Sequence, residues 1–211
     1  MKWRRMPLGP VQTNAYIVWN EKLDCLIIDP GSEPHKIFAF VNEYKLKPVA
    51  VLLTHAHYDH IGAVDDVRNK WEIPVYIHKK EKDWLVDPLL NLSARTPFSD
   101  EIVLQKADEI ITGEGDLHIG PFKMKVFETP GHSPGSVSYY FEEEQLVLSG
   151  DALFEGSIGR TDLPGGNHEL LIKSIHDKLL VLPEETLVLS GHGSETTIQQ
   201  EMDTNPFLNG Y

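Results

Sequence analysis

The order of its apolar segments predicts that this 211-residue chain is an α/β protein: one compact domain over 1–211, with a sheet-on-sheet core and helices outside. Two observations carry that expectation. Short apolar, β-branched runs are followed by stretches of helical spacing in both halves of the chain. Three of the runs also end alike, with Val51-Leu52-Leu53-Thr54 leading into His55, Val147-Leu148-Ser149-Gly150 into Asp151, and Val188-Leu189-Ser190-Gly191 into His192. Each places a metal-capable side chain just past a strand's carboxyl end, where α/β proteins collect their ligands.

Taken in order, Tyr16–Trp19 and Leu23–Asp29 read as strands joined by a hairpin turn at Asn20-Glu21-Lys22. Ile37, Phe38, Val41 and Tyr44 repeat at helical spacing within Pro34–Lys45, and Val49–Thr54 is the next strand. A second helical pattern runs through Ile61, Val64, Val67 and Trp71, followed by a strand at Val75–His78. Segment 79–108 is mixed, with short helical pieces expected around Lys80–Val86 and Pro88–Ala94. Strands return from Ile110: Leu117–Ile119, Phe122–Thr129, Ser136–Phe141 and Gln145–Ser149. A Gly-rich loop covers Gly156–Gly166, and Asn167 is placed to cap a helix carrying Leu170, Leu171, Ile175 and Leu179. A strand at Thr186–Ser190 and a helix from about Ser194 to Asp203 complete the pattern.

Composition narrows the function. Thirty-two acidic residues against 19 Lys and Arg leave a formal charge of −13, which disfavours nucleic acid, because that affinity comes largely from cations neutralising phosphates. The basic start at Met1–Pro7 is followed by no apolar stretch of about 7–15 residues, so it does not read as a signal peptide. No window approaches the roughly 18 apolar residues of a membrane helix, and the expectation is a soluble, cytoplasmic protein. The single cysteine, Cys25, cannot form an intrachain disulfide and lies in an apolar run, so it reads as core. Oligomeric state is not legible.

Chemistry concentrates in Thr54-His55-Ala56-His57-Tyr58-Asp59-His60. His55 and His57, two apart, share a face of extended chain and can hold one ion together. Asp59 and His60 diverge unless the chain turns here into the helix near Ile61, in which case they aim at a second point a few ångströms away. The spacing therefore suggests two metals. His132 and His192 are each bracketed by Gly or Pro, residues that permit close backbone approach or fix a turn, and Asp151 adds a carboxylate able to bridge two cations. A structural zinc site is the alternative, but such sites are usually closed and Cys-rich. His35, His78, His118, His168 and His176 read as ordinary hydrogen-bonding residues.

These residues resemble the metallo-β-lactamase superfamily. Its H-x-H-x-D-H motif is matched by His55, His57, Asp59 and His60, and its later ligands by His132, Asp151 and His192. The resemblance implies an αββα sandwich of two mixed sheets packed face to face. It also implies a dinuclear site: His55, His57 and His132 on the first ion, Asp59, His60 and His192 on the second, and Asp151 bridging. With Asp151 and no Cys ligand, the pattern looks unlike the zinc β-lactamases and like the hydrolase branch. Within that branch, Gly191–Ile198 and Asn205-Pro206-Phe207-Leu208 resemble the terminus of glyoxalase II, hydroxyacylglutathione hydrolase, although little chain is left for that family's glutathione-gripping helices. The loop Gly156–Asp162 also resembles persulfide dioxygenases, whose single iron here would be held by His55, His132 and Asp151.

The expected function is thus hydrolysis of an acyl thioester of a small thiol, such as a 2-hydroxyacyl one. Two cations sharing a water lower its pKa towards neutrality, and the thiolate leaves readily, so no strong general acid is needed. Zinc is the first expectation for the metal, with iron or manganese as alternatives, since His and carboxylate donors suit all three. Asp59 is the expected catalytic residue, orienting the nucleophile as well as ligating. Arg160 is a candidate anchor for a substrate carboxylate, or else ties down its own loop through Asp162. Tyr58 is a candidate pocket residue, or else packs beside the ligands. Persulfide dioxygenase, lactone hydrolase and a non-catalytic metal-binding or docking protein are the competing readings.

Overall fold

A computed structural model of the chain describes residues 1–209. They divide into two compact units, one comprising Met1–Thr112 with Ile119–Pro121, the other Gly113–His118 with Phe122 onward.

The first unit is built on a mixed six-stranded sheet: β1 (Lys2–Leu8), β2 (Thr13–Trp19), β3 (Asp24–Ile28), β4 (Lys47–Leu52), β5 (Val75–His78) and β6 (Glu109–Ile111), in that spatial order. β1, β2 and β3 pair antiparallel, and β3 to β6 pair parallel. The parallel connections carry α1 (Pro34–Glu43), then α2 (Tyr58–Ile61) and α3 (Val64–Trp71). Alternate residues Ile17, Ile27, Val51 and Val75 meet Ile37, Val41, Ile61, Val64 and Val67 of these helices in one buried cluster. The intervening Val18, Leu26, Ile28, Ala50 and Leu52 are also fully buried. Strands buried on both faces read as continuous apolar runs rather than alternating ones, which is why these were visible.

The second unit has its own six-stranded mixed sheet. Its members are β7 (Gly115–Ile119), β8 (Phe122–Glu128), β9 (Val137–Phe141), β10 (Leu146–Gly150), β13 (Leu187–Ser190) and β14 (Thr196–Thr197), in the order β14-β13-β10-β9-β8-β7. β10 and β13 run parallel, so their carboxyl ends emerge together, Gly150 opposite Ser190. A small hairpin, β11 (Leu153–Phe154) and β12 (Ser157–Ile158), follows β10. Helix α4 (His168–Ser174) continues as a π-helix over Ile175–Leu179, and α5 (Ile198–Thr204) is the last of the described elements. Leu171, Ile175, Leu179 and Ile198 are buried with Val147 and Val188. Asn167 caps α4 as expected, its side-chain oxygen accepting from the Leu170 N–H.

Some elements differ from the sequence expectation. Strand β1 is an addition to the sequence expectation, because Lys2, Arg4, Arg5 and Pro7 mask its alternation; those residues suit it, since among the described residues it is an edge strand paired with β2 alone. The last helix starts at Ile198 rather than near Ser194, because Thr196 and Thr197 extend into β14 and Thr197 then caps α5 through the Gln200 N–H. Segment 79–108 carries short helical pieces as expected, in the form of single turns of 3-10 helix at Lys79–Glu81, Trp84–Val86 and Ser93–Arg95.

Candidate metal centre

In the first unit the chain leaves β4 at Leu52 and turns at His57 into α2, the turn that the spacing of Asp59 and His60 required. His55, His57 and His60 are buried, with the ring of His55 4.7 Å from that of His57 and 4.1 Å from that of His60. Asp59, half-buried, accepts a 2.6 Å hydrogen bond from Thr13 Oγ1 and holds its Oδ2 3.6 Å from His60 Nε2. Gly31 makes room for this turn, since a methyl group there would lie 1.7 Å from the Asp59 carbonyl oxygen. Trp84 stacks on His57, and buried Glu81 accepts from the Ala56 N–H at 2.7 Å.

Asp29 organises this cluster, and sequence reasoning missed it. Buried at the end of β3, it accepts from Thr54 N (2.8 Å), Thr54 Oγ1 (2.6 Å) and His60 Nδ1 (3.0 Å). Because the Thr54 hydroxyl gives its proton to Asp29, its oxygen is left to accept from His55 Nδ1 at 3.2 Å. Both imidazoles therefore carry their proton on Nδ1, which turns the Nε2 lone pair towards a ligand's role. The available signal was an acid closing the apolar run Cys25–Ile28, immediately before Pro30-Gly31.

The second unit carries the other three residues. Asp151 Oδ2 stands 3.5 Å from His132 Nε2 and 3.5 Å from His192 Nε2. His132 Nδ1 donates to the Arg160 carbonyl at 2.7 Å, so its proton too is placed away from Asp151. Phe154 sets its edge against the His192 ring, 5.9 Å between centroids. Gly159 lets β12 approach, since a methyl group there would lie 1.8 Å from the Asp151 carbonyl oxygen.

These spacings suit divalent ions. Two ligands on one tetrahedral ion at about 2.0–2.2 Å stand roughly 3.3–3.6 Å apart, too far for a hydrogen bond and close enough to share a cation. The Asp59–His60 pair and both Asp151–His pairs fall in that range. The donors are imidazole and carboxylate, with Nδ1 protons held by acceptors on three of the five rings.

The remaining candidates sit as follows. Arg160 is exposed, and its guanidinium grips Asp162 through two bonds of 2.7 and 2.8 Å. Tyr58, half-buried, lines a cleft of about 270 Å3 with Leu8, Val11, Asp59, Phe98 and Ile102. His35, His118, His168 and His176 lie exposed on the surface, and His78 is buried at the end of β5.

A family model described as the metallo-β-lactamase superfamily matches residues 8–192. The chain belongs to the metallo-β-lactamase superfamily. Its mixed sheets and helices are the fold of that family, and a solved B3 metallo-β-lactamase, BLEG-1, superposes with a TM-score of 0.97 at 54% identity, covering 99% of this chain and all of the other. A second structure, of TTHA1623 in a di-iron-bound form, gives 0.84 at 41% identity, covering 97% of this chain and all of that one. Among curated relatives, the probable metallo-hydrolase YqgX of Bacillus subtilis is 59% identical over 211 residues, spanning 100% of this chain and 99% of its own. Hydroxyacylglutathione hydrolase GloC of Haemophilus influenzae is 35% identical over 207 residues, 97% and 96% of the two chains. No helix among the described residues is long and apolar enough to cross a membrane.

Proposed function

We propose that this member of the superfamily is a metal-dependent hydrolase that cleaves the acyl thioester of a small thiol, a 2-hydroxyacyl ester in the first place. His55, His57, Asp59, His60, His132, Asp151 and His192 would hold two divalent ions, zinc before iron or manganese. The observation that carries the metal reading is the placing of both His132 and His192 Nε2 at 3.5 Å from one oxygen of Asp151. The thioester reading is supported by the likeness to GloC over nearly the whole of both chains.

Held by these residues, two divalent ions would supply a water of lowered pKa and a polarised acyl carbonyl. The protein's own contribution is to fix the donors beforehand. Asp29 and Thr54 hold the His55 and His60 protons on Nδ1, and the Arg160 carbonyl does the same for His132. Thr13 orients Asp59, the residue we assign to positioning the nucleophile. Tyr58 and Arg160 are assigned to substrate contact, the first through its cleft and the second through its guanidinium. A charge of −13 speaks against a nucleic-acid substrate, and a small thioester in the cytoplasm is the partner we assign.

S-lactoylglutathione hydrolysis by metal-loaded protein, beside a chelated sample and an Asp59→Asn variant, tests the reading. The expected result is turnover that both controls abolish. A β-lactam amide is the second reading, favoured by the likeness to BLEG-1, and a chromogenic cephalosporin belongs in the same plate. Cleavage of the cephalosporin with no thioester turnover would reverse the order of the two. Oxygen uptake with a persulfide on iron-loaded protein, and no hydrolysis of either ester or amide, would replace both.

A further inference from the structure

The tail beyond His192 resembles a family terminus in sequence, yet none of its residues has a part in the chemistry above. Its structure supplies one. Glu201, on α5, is fully buried and accepts three hydrogen bonds: from Thr196 Oγ1 at 2.6 Å, the Gly156 N–H at 2.9 Å and Asn205 Nδ2 at 2.7 Å. Asn205, equally buried, uses the second hydrogen of the same amide to bond the Ser157 carbonyl at 3.0 Å. Gly156 and Ser157 lie in the β11–β12 hairpin. Its turn is thus held at one N–H from α5 and at one carbonyl from the helix's C-cap, Asn205. Taking a carboxylate out of water is costly unless its oxygens are satisfied, so such a group is kept where its partners must stay put.

The hairpin and the two residues after it reach all three candidate ligands of its unit. Phe154, on β11, lies against the His192 ring. Gly159, just beyond β12, sits against the Asp151 carbonyl, and its N–H bonds the Ala152 carbonyl at 3.2 Å. Arg160, next in line, fixes the His132 proton through its own carbonyl. We propose that Glu201 and Asn205 are positioning residues: by clamping the β11–β12 hairpin they set His132, Asp151 and His192 for metal. The proposal rests on the metal reading above and names residues that sequence similarity at the terminus leaves without a role. Thr196 offers the contrast, because its bond to Glu201 ties β14 to α5 and reaches no part of the hairpin.

Zinc affinity of the full-length protein, measured by competition with a chromophoric chelator, separates these roles when apo-protein melting is recorded alongside. Asn205→Ala and Glu201→Leu, which release the hairpin, should weaken zinc binding by up to about tenfold, the lower end of what losing a partner bonded directly to a ligand costs. Glu201→Gln should bind as wild type, since its oxygen accepts from Gly156 and Asn205 while its amide donates to Thr196. Thr196→Val should lower the apo melting temperature and leave affinity unchanged. If Glu201→Leu does not fold, Asn205→Ala carries the test. Unchanged affinity in Asn205→Ala, or an equal loss in Thr196→Val, overturns the clamp. Wild-type protein that binds no zinc, iron or manganese overturns the metal reading instead.

Discussion

His132 is oriented by the backbone of Arg160 and not by its side chain: Nδ1–H donates to the carbonyl at 2.7 Å while the guanidinium turns to Asp162. A substitution at Arg160 therefore leaves the His132 tautomer intact. A substitution at its neighbour does not, because the added methyl of Gly159→Ala would lie 1.8 Å from the Asp151 carbonyl oxygen and 3.2 Å from His132 Cβ. We expect Arg160→Ala to keep wild-type metal content after dialysis, and Gly159→Ala to lose metal along with about 1–3 kcal/mol of stability. Equal metal retention in the two variants would contradict this assignment.

Asp29 governs two imidazoles at once. In Asp29→Asn one oxygen can still accept from Thr54 N, but the new amide then faces the Thr54 hydroxyl and His60 Nδ1, both of which donate to Asp29 in the wild type. Either His60 changes tautomer or a buried donor goes unsatisfied, at a cost of about 1–3 kcal/mol. The expected loss in metal affinity is roughly 10–100-fold, read by chelator competition, with His55 affected as well because its proton rests on Thr54. Wild-type affinity in this variant would show that the ligand protons are held by something else.

What the sequence shows of this site follows from locality. His55, His57, Asp59 and His60 are legible because four donors fall within seven residues, and the strand endings at Asp151 and His192 repeat a pattern already seen at Thr54-His55. Asp29 and Glu201 are not legible, because the partners of Asp29 lie 25 to 31 residues away, the bond from Glu201 to the hairpin spans 45, and neither belongs to a local donor cluster. Glu201 follows Gln199-Gln200 and so reads as part of a solvated helical face, whereas it is fully buried. The fold divides in the same way. Strands buried on both faces announce themselves as apolar runs, while the edge strand β1 hides behind Lys2, Arg4 and Arg5.

Cys25 tests the core independently of the metal. It is fully buried, and burial, assisted by the charge of Asp24, pushes its thiol up to about 12. At pH 8 the thiolate fraction is then on the order of 10⁻⁴, so the native protein should not react with a disulfide reagent. Denaturant should release one titratable thiol per chain, the number the sequence contains. Rapid reaction of the native protein would mean that the β2–β3–β4 region opens readily.

Arg160 remains to be divided between loop tether and substrate anchor, and Asp162 allows the division. The Arg160 hydrogen bonds, followed by a backbone N–H, hold the Asp162 carboxyl at about 2, below its ordinary 3.8. A folded value depressed in this way contributes stability above pH 3.8 that is lost as pH falls towards 2. Both side chains are exposed, so melting temperature should barely register the loss, and a carboxyl NMR titration is the measurement to make. Asp162 should titrate near 2 in the wild type and rise towards the ordinary range in Arg160→Ala, the backbone N–H still holding it somewhat low. The same variant should raise KM for a carboxylate-bearing thioester by about tenfold with kcat little changed, since a charge-assisted contact is worth roughly 1.5–3 kcal/mol before screening. Asp162→Asn should move KM the other way, because it weakens the competing grip on the guanidinium. If KM is unmoved in both variants while the Asp162 titration shifts as stated, Arg160 is a tether alone, and the substrate's carboxylate is bound elsewhere.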